Sequence, residues 1–417
     1  MRGLCLGLLL LAMPLHAEVW DSLCIDRYDI DTAQVGQIRA EVNALAFFQN
    51  NEFSSRMQKG YTLPGAWMNP KITYTPLPQV YIEAGAHLMF YDGANRYPNY
   101  AYQDIARWKG NQHTHGVHAL PWFRAQATFH RGGHTDRSLN VILGNIYGCQ
   151  NHQLIRPMFN AEQNLSSDPE MGFQLLLDRR HVHLDMWMNW QSYIFNLDSH
   201  QEAFTVGINS TLKWSRPERK IQWETPVQIL VQHRGGELDT TALGVQTLCN
   251  GSVGARMTYR PSASRKFQHI RAEANVLGSW QQSGSLWPFD LGVAFHAGAA
   301  IALLQGLQVE AGYVGIPHQF ANLFGSPFFG TISTKFPGTV VRGLHTAYAS
   351  ASYFYTFDKL ASRKYRSPQY QLGAQFDLYS VNPSGYSNSI PFGFGLYMRV
   401  RPSFLLNKRG ARQKHSL

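Results

Sequence analysis

Three groups of residues in this chain have the types and spacing for chemistry. His181, His183 and Asp185 alternate within the run 181–190, so a strand would place two imidazoles and a carboxylate on one face. Asn151-His152 with Ser166 or Ser167 is the nearest approach to a base and nucleophile, but no Gly-x-Ser-x-Gly elbow accompanies it. His113, His115 and His118 crowd a third stretch, where imidazoles alone could attract a transition metal. No acidic or cysteine partner stands beside them. The reading therefore assigns no catalytic residue, no metal and no cofactor. It treats the 181–185 group as a hydrogen-bonded polar wall.

That wall implies an element to carry it. Val182, Leu184, Met186, Met188 and Trp190 take the opposite face of the same run, and a strand with one greasy and one wet wall is the stave of a membrane barrel. The same alternation recurs in sixteen segments. They are 37–48, 68–75, 79–91, 119–130, 138–147, 171–178, 181–194, 202–214, 221–233, 241–260, 267–280, 288–302, 307–316, 344–357, 369–381 and 391–404. Most approach the roughly 9–11 residues a tilted strand needs to cross a bilayer. Asn250-Gly251 has the chemistry of a tight hairpin, yet 241–260 is read as one strand, because splitting it breaks the regular parity of the connections. The expected fold is all-β, an antiparallel transmembrane barrel of about 16 strands, with 14–18 allowed.

The connections fall into two alternating sets. One is short or basic, and the other holds the long excursions 49–67, 92–118, 148–170 and 317–343. Together with the tail, the first set carries eighteen Lys and Arg against four acids, so the net charge of +10 is concentrated on one rim. Such a rim suits lipid phosphates, and for an exported chain a nucleic-acid partner is excluded. Export is read from residues 1–17, a positive start, an apolar core too short to span a membrane, and Leu15-His16-Ala17 as a cleavage site. The expected domains are thus 1–17 signal peptide, 18–35 periplasmic N-terminal segment, 36–404 barrel and 405–417 basic periplasmic tail. Charged residues at 15% and aromatics at 13% depart from a soluble domain in the direction of a barrel. Cys24, Cys149 and Cys249 remain after cleavage, and spacing selects no disulfide among them.

In strand plan the chain resembles the 16-stranded general porins, Gram-negative outer-membrane β-barrel proteins. Their third outer loop occupies the place of 148–170 and folds inward. The resemblance implies a candidate constriction loop of Asn151, His152, Arg156, Glu162, Asp168 and Glu170, with Glu162, Asp168 and Glu170 facing Arg124 or Arg271. Alternation itself assigns the pore lining to Arg39, Glu41, Glu83, His87, Arg124, His181, His183, Asp185, Glu224, Arg271, Glu273, Asp377 and Arg399. The expected function is an outer-membrane channel for polar solutes such as oligosaccharides, with no enzymatic activity. The alternatives are a barrel enzyme acting on lipid or lipopolysaccharide and a plugged barrel docking an envelope partner. Expected partners are outer-membrane lipids, small polar solutes and a homo-oligomer or envelope protein.

Overall fold

Alternation along each strand is what closes this molecule. A computed structural model describes residues 19–91, 117–130, 138–195, 200–242, 244–261, 267–303, 306–357 and 370–407. The signal segment, His113, His115 and the end of the basic tail lie outside them. The first eight strands are β1 (Ile38–Glu52), β2 (Tyr61–Leu77), β3 (Val80–Tyr91), β4 (Val117–His130), β5 (Ser138–Asn145), β6 (Met171–Asp178), β7 (Val182–Ser192) and β8 (Ala203–Lys213). The rest are β9 (Ile221–Arg234), β10 (Gln246–Tyr259), β11 (Phe267–Ser283), β12 (Leu291–Leu303), β13 (Leu307–Ile316), β14 (Leu344–Thr356), β15 (Tyr370–Pro383) and β16 (Phe392–Val400). Each pairs antiparallel with its chain neighbours, and β16 returns to β1 through Ala44↔Val400 and Glu52↔Phe392. After Arg401-Pro402 the last strand resumes at Ser403–Leu405 on β1, so the barrel has sixteen staves. Closure removes every free strand edge, as hydrocarbon requires.

The strand plan expected from alternation holds, and β6 and β13 begin and end where it placed them. The largest difference is β2, which starts at Tyr61 rather than 68. Pro64, Gly65 and Pro70 disguise it, because prolines that cannot donate to a ladder argue against a strand. Here β1 carries the pairing, with Val42↔Pro70 and Phe48↔Pro64 in register, while the β2–β3 ladder skips Pro70. Gly85 is needed at that skip, since a Cβ there would lie 2.2 Å from the Pro70 carbonyl oxygen. β10 continues through Asn250-Gly251 without turning. The Asn250 side chain points inward and holds the 317–343 connection, accepting from Leu323 N at 2.7 Å and donating to Ala321 O at 2.8 Å.

The outward row is apolar and ends in aromatics. Phe48, Phe90, Trp190, Trp280, Phe376, Phe392 and Phe394 are exposed toward the long-loop end. Tyr74, Phe129, Trp214, Trp223, Tyr353 and Tyr370 are exposed toward the short-turn end. These are the two interfacial girdles of an outer-membrane barrel.

The lumen is filled. Helix α1 (Val19–Cys24) packs against β14 and β15, with Trp20 edge-on to Tyr397 at 4.6 Å and Leu23 wholly buried. The segment expected on the periplasmic side thus runs along the inner wall. From the other end, 146–170 and 317–343 bring Ile155, Met158, Phe320, Phe324, Phe328 and Phe329 onto Leu230, Leu248, Leu277, Val314 and Tyr379 in one apolar cluster. Each large side chain buried this way contributes about 1.5–3 kcal/mol, which a water-filled bore would forgo.

Candidate functional site

The 148–170 connection is bound into the barrel along its whole length. Asn209 donates to the His152 carbonyl at 2.7 Å, and Ile155 N donates to Gln228 at 2.9 Å. Arg156 reaches Asp377 at 2.5 Å and Glu310 at 3.6 Å. Helix α2 (Gln163–Ser166) presents carbonyls to Trp67 and Tyr91, at 2.9 Å to Asn164 O and 2.6 Å to Leu165 O. Below it, Gln150 Nε2 donates to Asp21 at 2.7 Å and Asp26 N donates to Asn151 at 2.7 Å, joining the connection to the N-terminal segment.

His152 is the hub. Its Nδ1 lies 2.7 Å from Asp185, its Nε2 lies 3.2 Å from Glu170, and its ring stacks on Trp187 at 3.6 Å. Burial alone would lower its pKa, but Glu170 and Asp185 outweigh that and hold it up to about 9. Burial opposes ionisation of Glu170 as well, yet the imidazolium and the Cys149 amide hold that carboxyl below its usual range. Both ring nitrogens are committed to carboxylates, so no lone pair is left to take a substrate proton. Ser166 and Ser167 turn away, donating to Glu162 O and Gln163 O. This triad has catalytic residue types in a structural arrangement. Burial pushes the Cys149 thiol well above its usual range, with Glu170 adding to it, and Cys24, Cys149 and Cys249 are all free.

The expected inner-wall residues separate into ion pairs. Glu83 holds Lys71 at 2.6 Å and Arg124 at 3.6 Å, and Arg256 holds Glu273 at 2.9 Å with Glu224 at 3.9 Å. His87 bonds Asn69, His183 meets Asp178 at 2.7 Å, and Arg39 lies 3.9 Å from Glu41. Arg399 is buried against Asn43 at 2.6 Å and Asp26 at 3.8 Å. His181 is a correction: it precedes β7, lies exposed in the turn and is 3.3 Å from the Lys213 carbonyl. The expected facing of Glu162, Asp168 and Glu170 with Arg124 or Arg271 is also corrected. Glu162 bonds Tyr61 and Asn51, Asp168 meets His118 at 2.9 Å, and Glu170 meets His152. Arg124 instead donates to Asn145 O and Ile146 O. Burial pushes the Glu162 carboxyl up to about 7, against the pull of its hydrogen bonds from Tyr61 and Asn51. Between these segments a small polar cavity of about 120 Å³ is bordered by Arg156, Glu162, Arg271, Glu310 and Asp377.

A second site opens outward. Along β1, Phe48, Asn50 and Glu52 follow the outward row, and Asn50 pairs in register with Thr62 of β2. Thr62 Oγ1 donates to Asn50 Oδ1 at 2.6 Å, and Asn50 Nδ2 donates to Glu52 Oε1 at 2.9 Å. This hydroxyl–amide–carboxylate chain lies in an open cleft that Lys59 and Lys335 also line. Just below it stand Phe48 and Phe394, 6.2 Å apart in the outer girdle. A carboxylate fixed by hydrogen bonds at the membrane interface can activate water against an ester whose acyl chain remains in the bilayer. Sequence reasoning missed these residues because it ended β1 at 48 and began β2 at 68. The signal was the outward row itself, which turns polar at 50 and 52.

A family model described as Lipid A 3'-O-deacylase-type matches residues 30–409. That description is of an enzyme, and it corrects the expectation that this barrel does no catalysis. Among solved structures, the chain is similar to the outer membrane protein OprD of Pseudomonas aeruginosa at 10% identity, covering 90% of this chain and 97% of that one, with TM-score 0.47. It is also similar to OccAB4 of Acinetobacter baumannii at 10% identity, covering 90% and 100%, with TM-score 0.46. No curated protein matches the chain.

Proposed function

The chain belongs to the lipid A 3'-O-deacylase-type family, and on that premise we propose that it hydrolyses an ester-linked acyl chain of lipid A at the cleft beside β1 and β2. It lies in the outer membrane of a Gram-negative bacterium. In this reading Glu52 takes a proton from the water that attacks the acyl carbon. It gives that proton to the sugar oxygen as the acyl C–O bond breaks, so the sugar hydroxyl is freed and the acyl chain leaves as a fatty acid. Asn50 and Thr62 act through Glu52, fixing the orientation of its carboxylate. The observation that carries the reading is the match over residues 30–409, and the outward cleft is what makes it geometrically workable. The test is the mass of purified lipid A after incubation with the folded protein in detergent micelles. Loss of one acyl chain is expected, and an unchanged mass would sink the proposal.

Passage of polar solutes is the second reading, supported by the polar inner wall and its cavity. Against it stand α1 and the two inward connections, which occupy the lumen. Planar-bilayer recordings separate the two readings. The filled lumen predicts no porin-like conductance, and large steady single-channel steps would restore the channel.

A further inference from the structure

We propose that Lys59 and Lys335, braced by Arg56, form a phosphate-recognising rim that binds the phosphorylated headgroup of an outer-leaflet glycolipid. The inference rests on the deacylase reading only for what the bound lipid then undergoes.

Charge on the long-loop end is divided by sector. The connections 53–60, 317–343 and 384–391 carry Arg56, Lys59, Lys335 and Arg342 and contain no Asp or Glu. Among the described residues, the connections 193–202, 235–245 and 284–290 carry Glu202, Glu237, Asp239 and Asp290. The cations therefore gather over β1, β2 and the last strands, where the cleft opens.

The cations also come from two connections latched to each other. Thr334 N and Oγ1 both donate to Met57 O at 2.9 Å, and Ser333 Oγ donates to Arg56 O at 2.7 Å. Lys335 Nζ donates to Ser55 O at 3.0 Å, leaving further ammonium protons for a ligand. Phe336 lies between the Arg56 guanidinium at 5.2 Å and the Lys335 ammonium at 5.5 Å, and Tyr386 takes the other approach to Arg56 at 3.7 Å. Stacking of this kind holds cations in place without neutralising them. Lys59 and Lys335 then line one cleft whose carboxylate is Glu52. A cleft that must admit an ester beside Glu52 gains from cations that offset the carboxylate's repulsion of an anionic lipid. The aromatic girdle beneath takes the acyl chains, so one lipid would meet the cations, the carboxylate and the apolar wall together.

The test measures binding in the Glu52→Gln background, so that the lipid stays intact. Fluorescent lipid A and its enzymatically dephosphorylated form are titrated onto the folded protein in micelles, with inorganic phosphate as competitor. The phosphorylated lipid is expected to bind roughly tenfold or more tightly than the dephosphorylated one, as loss of one or two charged hydrogen bonds implies. Lys59→Gln with Lys335→Gln should erase that difference, and Lys59→Arg with Lys335→Arg should keep most of it. Equal binding of the two lipids to the starting protein would overturn the inference. So would a preference that survives the double glutamine change, or inorganic phosphate that alone competes at micromolar concentration. Absence of hydrolysis by the unsubstituted protein would remove the deacylase reading and leave this binding result standing on its own.

Discussion

His152 inside the barrel and Glu52 on its outer wall are opposite answers to the question of where a reactive group can work. The inner centre has the residue types of a hydrolase: an imidazole, two carboxylates, nearby serines and a cysteine. Every strong valence in it is used, and it is buried away from both solvent and lipid. The outer site has one carboxylate held by an amide and a hydroxyl, yet it is exposed at the height where lipid headgroups lie. On the proposed reading, the difference teaches that access and unspent hydrogen-bonding capacity identify a reactive site better than the roster of side chains does. The inner centre is a fastening. It fixes the connection that fills the lumen, and that rigid interior supports the wall on which the outer site is built.

The comparison breaks most visibly at the fastening. His152→Ala leaves Glu170 and Asp185 buried without their cation, and loss of a partner from a buried ion pair costs about 3–5 kcal/mol. Heat-modified gel migration and thermal unfolding should both show a less stable barrel. A variant as stable as the parent would show that the triad holds nothing.

Next in size is a pH effect confined to the inner region. The folded pKa of His152 is raised to about 9, so its contribution is full below about 6.5 and is lost as pH rises through 9. That contribution is on the order of 3 kcal/mol. Glu162, raised to about 7, acts in the same direction: the fold favours its neutral form, and stability falls as pH climbs from about 4.5 through 7. Hydrogen exchange of peptides from 148–170 should therefore speed up beyond its intrinsic base catalysis as pH rises. Glu162→Gln should remove the lower of the two steps. Exchange that follows the intrinsic rate at every pH would contradict the assignment.

The smallest of these effects belongs to the outer site. Thr62→Val removes the hydroxyl that holds Asn50 while keeping the side chain's shape. A lost hydrogen bond of about 1 kcal/mol predicts a fall in acyl release of several-fold, with thermal stability unchanged. Loss of activity only through unfolding would make Thr62 a fold residue.

The barrel was legible in the sequence because lipid on one side and protein on the other impose period two on every stave, from Arg39 to Arg399. The inner and outer rows follow from that alone. The partners of His152 did not, since Glu170, Asp185 and Asn209 meet it only after the connection bends into the lumen, a path set by packing across the barrel. His181 was misplaced by a single position, because the turn before β7 releases it from the alternation. Thr62 was hidden by Pro64, Gly65 and Pro70, which made the top of β2 look like loop, and Glu52 by a first strand read as ending at 48. The role of α1 left no trace in periodicity, as six residues are too few to display a helical pattern.

The most direct test of the account is a side-by-side acyl-release assay on lipid A with Glu52→Gln and Glu170→Gln, each confirmed as a folded barrel. The account predicts that Glu52→Gln releases no fatty acid above background, while Glu170→Gln, altered only in the interior, retains release at the parental order of magnitude. Release that survives in Glu52→Gln and disappears in Glu170→Gln would place the chemistry inside the barrel and contradict it.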